Sequence, residues 1–220
     1  MPNYVTTVIR TNPEVVAALL HRTTEQEQAQ HIEAESLRRA EITAKTGREI
    51  DWPIDKLPEV HVDFGRIIPE PEDMFHGGCD GHHPHPKEGG GFYSACWYNW
   101  NVEHWGTKWN GYDTEVSATE GDRAVLQFDT AWSHPLPVIV ALSQKFPDET
   151  LEVMFADEDL GYNLGAYTMR NGEVLSEDDV VPGSDKALEL AAQIKYGKSY
   201  AELKAEWGDE DDDEPAQIEA

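Results

Sequence analysis

The chain has 220 residues, of which 43 are acidic and 17 basic, for a formal charge of −26, and 39% are hydrophobic. A surface this acidic argues against direct nucleic-acid binding, because affinity for phosphates comes from Lys and Arg displacing counterions. No apolar run reaches the ~20 residues of a membrane span, Met1-Pro2-Asn3-Tyr4 lacks the basic and apolar regions of a signal peptide, and two cysteines are too few for a disulfide framework. The expectation is a cytoplasmic protein, soluble and reduced, forming one domain over residues 1–205.

In chain order, Tyr4 to Arg10 is β-branched and predicts a strand. Thr11-Asn12-Pro13-Glu14 is a helix-start signal, a capping residue followed by Pro and an acid, and Val15, Val16, Leu19 and Leu20 supply that helix's apolar face. From Thr24 to Lys45 the apolar positions thin out to Ile32, Leu37 and Ile42. Residues 21–50 therefore read as a solvated helical arm or insertion ending near Gly47. Trp52 to Pro58 is a proline-punctuated connector, and Val60 to Ile68 reads as a second strand.

Residues 70–91 form a loop rich in His, Gly and Pro. Four of the nine histidines and one of the two cysteines fall between His76 and His85. Imidazole and thiolate are the usual zinc ligands, and four complete a tetrahedral shell. The candidate set is His76, Cys79, His82 and His85, with His83 an alternative to His82 and Cys96 joining if the loop folds back. Such a closed site would be structural. The plainer reading, a polar loop that takes metal adventitiously, is the expectation, because a single cluster without a second CxxC-type arm specifies zinc loosely. Gly89-Gly90-Gly91 lacks the Lys-Ser/Thr of a phosphate loop.

The stretch Asn99 to Asp113 holds three of the seven tryptophans. Phe92 to Trp100 reads as a helix or a strand, with helix favoured because Trp97, Trp100 and Trp105 fall near helical spacing, and Gly106-Thr107-Lys108 would break it. Buried indoles need partners for their N–H groups, and the interleaved Asn, His, Lys and Asp offer them. Ala124 to Trp132 then alternates as a strand, Val138 to Phe146 is an amphipathic helix, and Thr150 to Ala156 is a strand. Asp157 to Gly161 is an acidic turn, followed by a strand from Tyr162 to Met169. Arg170-Asn171-Gly172-Glu173 is an Asn-Gly hairpin turn returning through Val174-Leu175. Lys186 to Tyr196 is a further helix, Ser199 to Trp207 a last helical turn, and residues 208–220 an acidic tail expected to be disordered.

Strand, helix, strand, strand, helix, strand is the split βαβ order of an α+β ferredoxin-like sandwich, here with a helical insertion and an extra C-terminal helix. Met1-Pro2-Asn3-Tyr4-Val5, Glu103 to Asp113, Phe128 to Pro137 and Ala156 to Gly165 together resemble the YubB-like family of conjugative-plasmid and bacteriophage proteins. The resemblance spans most of residues 1–180. It implies the ferredoxin-like fold and a mobile-element origin, and brings no catalytic residue with it.

Three functions follow in order of preference. The first is an acidic accessory protein that binds a basic surface on a host protein, as a counter-defence inhibitor or nucleic-acid mimic. The second is a small-molecule or peptide module in which Trp100, Trp105, Trp109, Tyr112 and Trp132 line a pocket and His104, Lys108, Asp113 and Asn101 orient the ligand. The third is an enzyme using His104, Lys108 and Asp113, or Asp157, Glu158 and Asp159 with a divalent cation.

Overall fold

β1 (Tyr4–Thr11) runs through the middle of the molecule, and its residues are β-branched because both faces of the strand are covered. The computed structural model describes residues 3–79, 84–118 and 123–208. Asn12 ends β1 and caps α1 (Pro13–Leu19), accepting from the Glu14 N–H at 2.9 Å, with Pro13 in the first turn. Val15, Val16 and Leu19 are buried as expected. Leu20 is not on the helix face: it opens β2 (Leu20–Arg22).

α2 (Glu25–Thr46) is the arm. Thr24 and Glu27 form a capping box, Gly47 closes the helix at φ +69°, and none of its residues is buried. The connector returns along it, with Arg39 donating to the Trp52 and Pro53 carbonyls. β3 (Val60–Val62) pairs antiparallel with β2 and closes the base of the arm. The strand expected over Val60 to Ile68 stops at Val62. Asp63 accepts from the Gly65 N–H at 3.0 Å and starts a 3-10 turn, Phe64–Arg66, that buries Phe64.

β4 (Met74–Phe75) and β5 (Ala95–Cys96) form a small parallel pair at the root of the His-rich loop. α3 (Trp97–His104) follows, then β6 (Tyr112–Ala118), β7 (Ala124–Ala131), α4 (Leu136–Lys145), β8 (Leu151–Asp157), β9 (Leu164–Arg170), β10 (Glu173–Glu177), α5 (Asp185–Tyr196) and α6 (Tyr200–Trp207). The six-stranded sheet has the order β10-β9-β8-β1-β7-β6, antiparallel throughout. Its inner part, β8-β1-β7-β6 with α1 and α4 as crossovers, is the ferredoxin-like split βαβ arrangement.

The second strand of that motif is β6, not the segment at Val60. β6 is an edge strand with mostly exposed residues, so it carries little of the apolar alternation that reveals β7. β9 and β10 widen the sheet, joined by an Asn171-Gly172 turn in which both residues have positive φ.

Ile9, Leu126, Phe128, Leu151 and Val153 face α1 and α4 and make the larger core. Val8 and Ala156 face α5, which packs through Ala191 and Ile194 on the opposite side. Most of the acidic tail, residues 209–220, lies outside the described residues. No helix among the described residues is long and apolar enough to cross a membrane.

Gly111 sits where β6 meets the larger core. A methyl group there would approach Phe128 Cδ2 at 2.9 Å and Val62 Cγ1 at 3.0 Å. Both neighbours are buried and cannot yield. Gly111→Ala is expected to destabilise the fold by about 1–3 kcal/mol by overpacking. Gly78→Ala, with open space around it, should stay within about 0.5 kcal/mol. Denaturant unfolding of the two variants checks the contrast.

Candidate aromatic binding site

α3 delivers the aromatic stretch into two settings. Trp100 and Trp105 turn inward: Trp105 is 3% exposed, donates its indole N–H to the Ile68 carbonyl at 2.9 Å, and meets Phe64 edge-on at 5.6 Å. His104 stacks on Trp100 with ring centroids 4.4 Å apart, and its Nδ1 lies 2.9 Å from the Trp100 carbonyl oxygen. These side chains are core and the seal around it.

Beyond them the chain is clamped. Asn101 is buried and its side-chain Nδ2 donates to the Lys108 carbonyl at 3.1 Å, while its backbone carbonyl accepts the Trp105 and Gly106 N–H groups. The Thr107 hydroxyl donates to the Ala131 carbonyl at 2.7 Å, and Ser133 donates to the Gly106 carbonyl at 2.5 Å. Gly106 has φ +78° and lies against Pro137, where a Cβ would come within 2.8 Å of the ring. Glycine is required here on both counts.

Lys108 is thereby directed across three aromatic rings. Its ammonium nitrogen lies 4.4 Å from the Trp109 centroid, 5.2 Å from Trp132 and 6.0 Å from Tyr98. Trp132 is 39% exposed and meets Tyr98 edge-on at 6.1 Å. All three distances are within the ~6 Å range over which a ring quadrupole attracts a cation.

Trp132 holds φ +72°, a conformation that costs a bulky residue about 1–3 kcal/mol and persists only where its surroundings over-determine it. Its N–H donates to the Asn3 carbonyl at 2.8 Å, and its carbonyl accepts from Asn163 Nδ2 at 3.2 Å. Asn163, itself at φ +44°, also donates to Asp157 Oδ2 at 2.7 Å. Asp157 is 4% exposed and accepts from the Asp159 N–H and Asn3 Nδ2 as well. The first carboxylate of the acidic turn is thus a buried hub that fixes the corner.

Tyr112 and Asp113 belong to a different feature, an open cleft of about 660 Å³ shared with Lys56, His61 and Glu115. Burial, and then Asp129 nearby, raise the Tyr112 phenol to about 12, so it is a neutral hydroxyl at neutral pH. Burial and the neighbouring His21 hold His61 below the ordinary histidine range. His104, Lys108 and Asp113, grouped on sequence grounds, have separate surroundings: a Trp100 stack, the aromatic cage and the cleft.

In the His-rich loop, Cys79 and Cys96 are joined as a disulfide across 17 residues of sequence. The sulfurs meet because β4 and β5 pair in parallel, with Phe75 opposite Cys96, which a count of two cysteines does not anticipate. Among the described residues, the group of three or more metal-type side chains that converges is Cys79, His85 and Cys96, with donor atoms within 4.8 Å of one another. His76 faces Glu70 instead, at 3.7 Å. His82 and His83 lie outside the described residues. Sequence reasoning missed Tyr98, Asn163 and His61: their partners come from other strands and turns, and no local pattern marks them.

Residues 104–197 match the family model described as "Ferredoxin-like domain in Api92-like protein". Among solved structures, the crystal structure of protein api92 from Yersinia pseudotuberculosis is similar at 9% identity with a TM-score of 0.48, covering 84% of this chain and all of that one. A search of curated proteins found no match.

His134, two residues beyond Trp132, packs against Phe155 at 4.0 Å and Tyr167 at 5.8 Å. Burial lowers its pKa to about 4, so the folded chain keeps it neutral where the unfolded chain takes a proton. Stability from this group is complete above the unfolded value of ~6.5 and is lost as pH falls toward 4. Between pH 7 and pH 5 it should account for about 2 kcal/mol. Denaturant unfolding at both pH values should show a larger loss for the wild type than for His134→Leu.

Proposed function

We propose that the protein is an acidic interaction protein that receives a cationic segment of a protein partner at the Tyr98–Trp109–Trp132 cage. The carrying observation is the cage itself, which holds an ammonium over three rings at 4.4–6.0 Å. Lys108 occupies the place that a partner's Lys or Arg would take, and it can swing out because its stem is flexible. The charge of −26 steers basic partners toward the chain. The cage then supplies a defined anchor, since aromatic and cationic anchors carry most of the energy at protein interfaces.

The resemblance to plasmid and phage proteins makes a host protein the partner of choice. An acidic protein occupying a basic, nucleic-acid-binding surface is a counter-defence inhibitor or nucleic-acid mimic. The cleft beside Tyr112 and Asp113 favours a second reading, a module for a small molecule or peptide. Its phenol, its carboxylates and the Lys56 ammonium would hydrogen-bond a polar ligand.

A tagged pull-down from nuclease-treated bacterial lysate, at low and moderate salt, names the partner. Calorimetry with that partner, or with a lysine-rich peptide, then tests the anchor. Trp132→Ala and Trp109→Ala should each weaken binding roughly five- to tenfold, the scale of one partly desolvated cation–π contact. Lys108→Ala should preserve or tighten it by vacating the cage. Binding that is indifferent to both tryptophans contradicts the reading, and saturable binding of a metabolite that Asp113→Ala abolishes favours the cleft.

A further inference from the structure

The segment from β4 to β5 has almost no core of its own. Met74 and Cys96 are its buried side chains among the described residues of 73–96, and one two-residue parallel pair joins its ends. Segments this poor in apolar burial are held by covalent or metal staples. Cys79 and Cys96 provide one as a disulfide. The placement of His85 beside them is what a disulfide does not require.

His85 is fixed from several directions. Its ring stacks on Phe75 with centroids 4.0 Å apart and planes 19° from parallel. Its carbonyl accepts the Tyr93 N–H at 3.0 Å, and the adjacent Pro86 bridges to Phe92. Phe75 is in turn the register partner of Cys96. Ring and sulfur are therefore positioned by the same pair of strands.

We infer that, when the disulfide is reduced, Cys79, His85 and Cys96 hold a zinc ion. Their donor atoms lie within 4.8 Å of one another. A tetrahedral zinc with bonds of about 2.3 Å to sulfur and about 2.0–2.1 Å to nitrogen sets its donors about 3.5–3.8 Å apart, a short adjustment from that arrangement. Two thiolates and an imidazole select zinc over magnesium or calcium, which take oxygen donors. The fourth position falls to water or to another donor of the chain.

Cys96 is also the N-cap of α3, where the helix dipole favours a thiolate. A dithiol reductant opens the disulfide, becoming oxidised itself as it delivers two electrons and two protons to the two sulfurs. Zinc then displaces both thiol protons. The ion would pin the start of α3, two residues before Tyr98 of the cage.

The test uses the full chain, reduced with dithiothreitol, given zinc sulfate and desalted. Mass spectrometry under native conditions and elemental analysis should find one zinc per chain. Cys96→Ser and His85→Ala should lose it, while His76→Ala keeps it. Cobalt(II) in place of zinc should give a near-ultraviolet thiolate-to-cobalt charge-transfer band in the wild type. That readout needs no variant, so a Cys96→Ser chain that fails to fold leaves the test intact. A disulfide that resists the dithiol, a reduced chain that holds no metal, or a cobalt spectrum without the thiolate band overturns the inference.

Discussion

β1 is the constraint on which the rest depends. It is hydrogen-bonded on one side to β7 and on the other to β8 along most of its length. Its Ile9 joins the core under α1 and α4, and the adjacent Val8 packs on the opposite side with α5. Two of its polar positions are tied in: Thr6 donates to Asp129 at 2.6 Å, and Thr11 to the Thr150 carbonyl at 2.9 Å. The Trp132 corner hangs from Tyr4 and the preceding Asn3. The Tyr4 carbonyl accepts the Glu158 N–H, and the Asn3 carbonyl accepts the Trp132 N–H. Through Asn3, Asp157 and Asn163, the sheet's own hydrogen bonding forces Trp132 into its left-handed conformation and presents its indole to Lys108.

Legibility in the sequence followed the source of each element's stability. α1, α2, α5 and α6 begin at side-chain caps, Asn12, Thr24, Ser184 and Ser199, and such local chemistry can be read directly. β7 and β8 alternate because one face meets a full core. β2 and β3, three residues each, and β6, exposed along the sheet edge, are specified by their partners and carry no comparable signal. The strand expected over Val60 to Ile68 is therefore only Val60–Val62, and the apolar Phe64 beyond it is buried by a 3-10 turn and contacts with Trp105 and Phe128 at 5.6 and 5.9 Å.

The candidate site divides in the same way. The density of indoles in Asn99 to Asp113 marks an important region, but composition does not say which rings point inward. The fold sends Trp100 and Trp105 to the core and leaves Trp109 and Trp132 around a cation. Helical spacing joins the first pair; the second pair is brought together by the turn after β7. Tyr98, on the outer side of α3, completes the cage from a third direction. The His-rich loop behaves likewise: His76 and Cys79 are neighbours in sequence, yet His76 faces Glu70, and parallel pairing of β4 with β5 brings Cys96 to Cys79 across 17 residues.

Electrostatics and geometry act here at different ranges. The overall charge works over a Debye length, about 8 Å at physiological ionic strength, and confers attraction without registration. The cage acts within ~6 Å and fixes a single cation. The two meet at Lys108, whose ammonium sits over three rings. Proton NMR of its Cε methylene tests this most directly, because aromatic ring currents shift protons held above a ring face. At that position the Lys108 resonance should lie upfield of the chain's other lysines and return toward them in Trp132→Ala. A Lys108 resonance indistinguishable from a free lysine would contradict it.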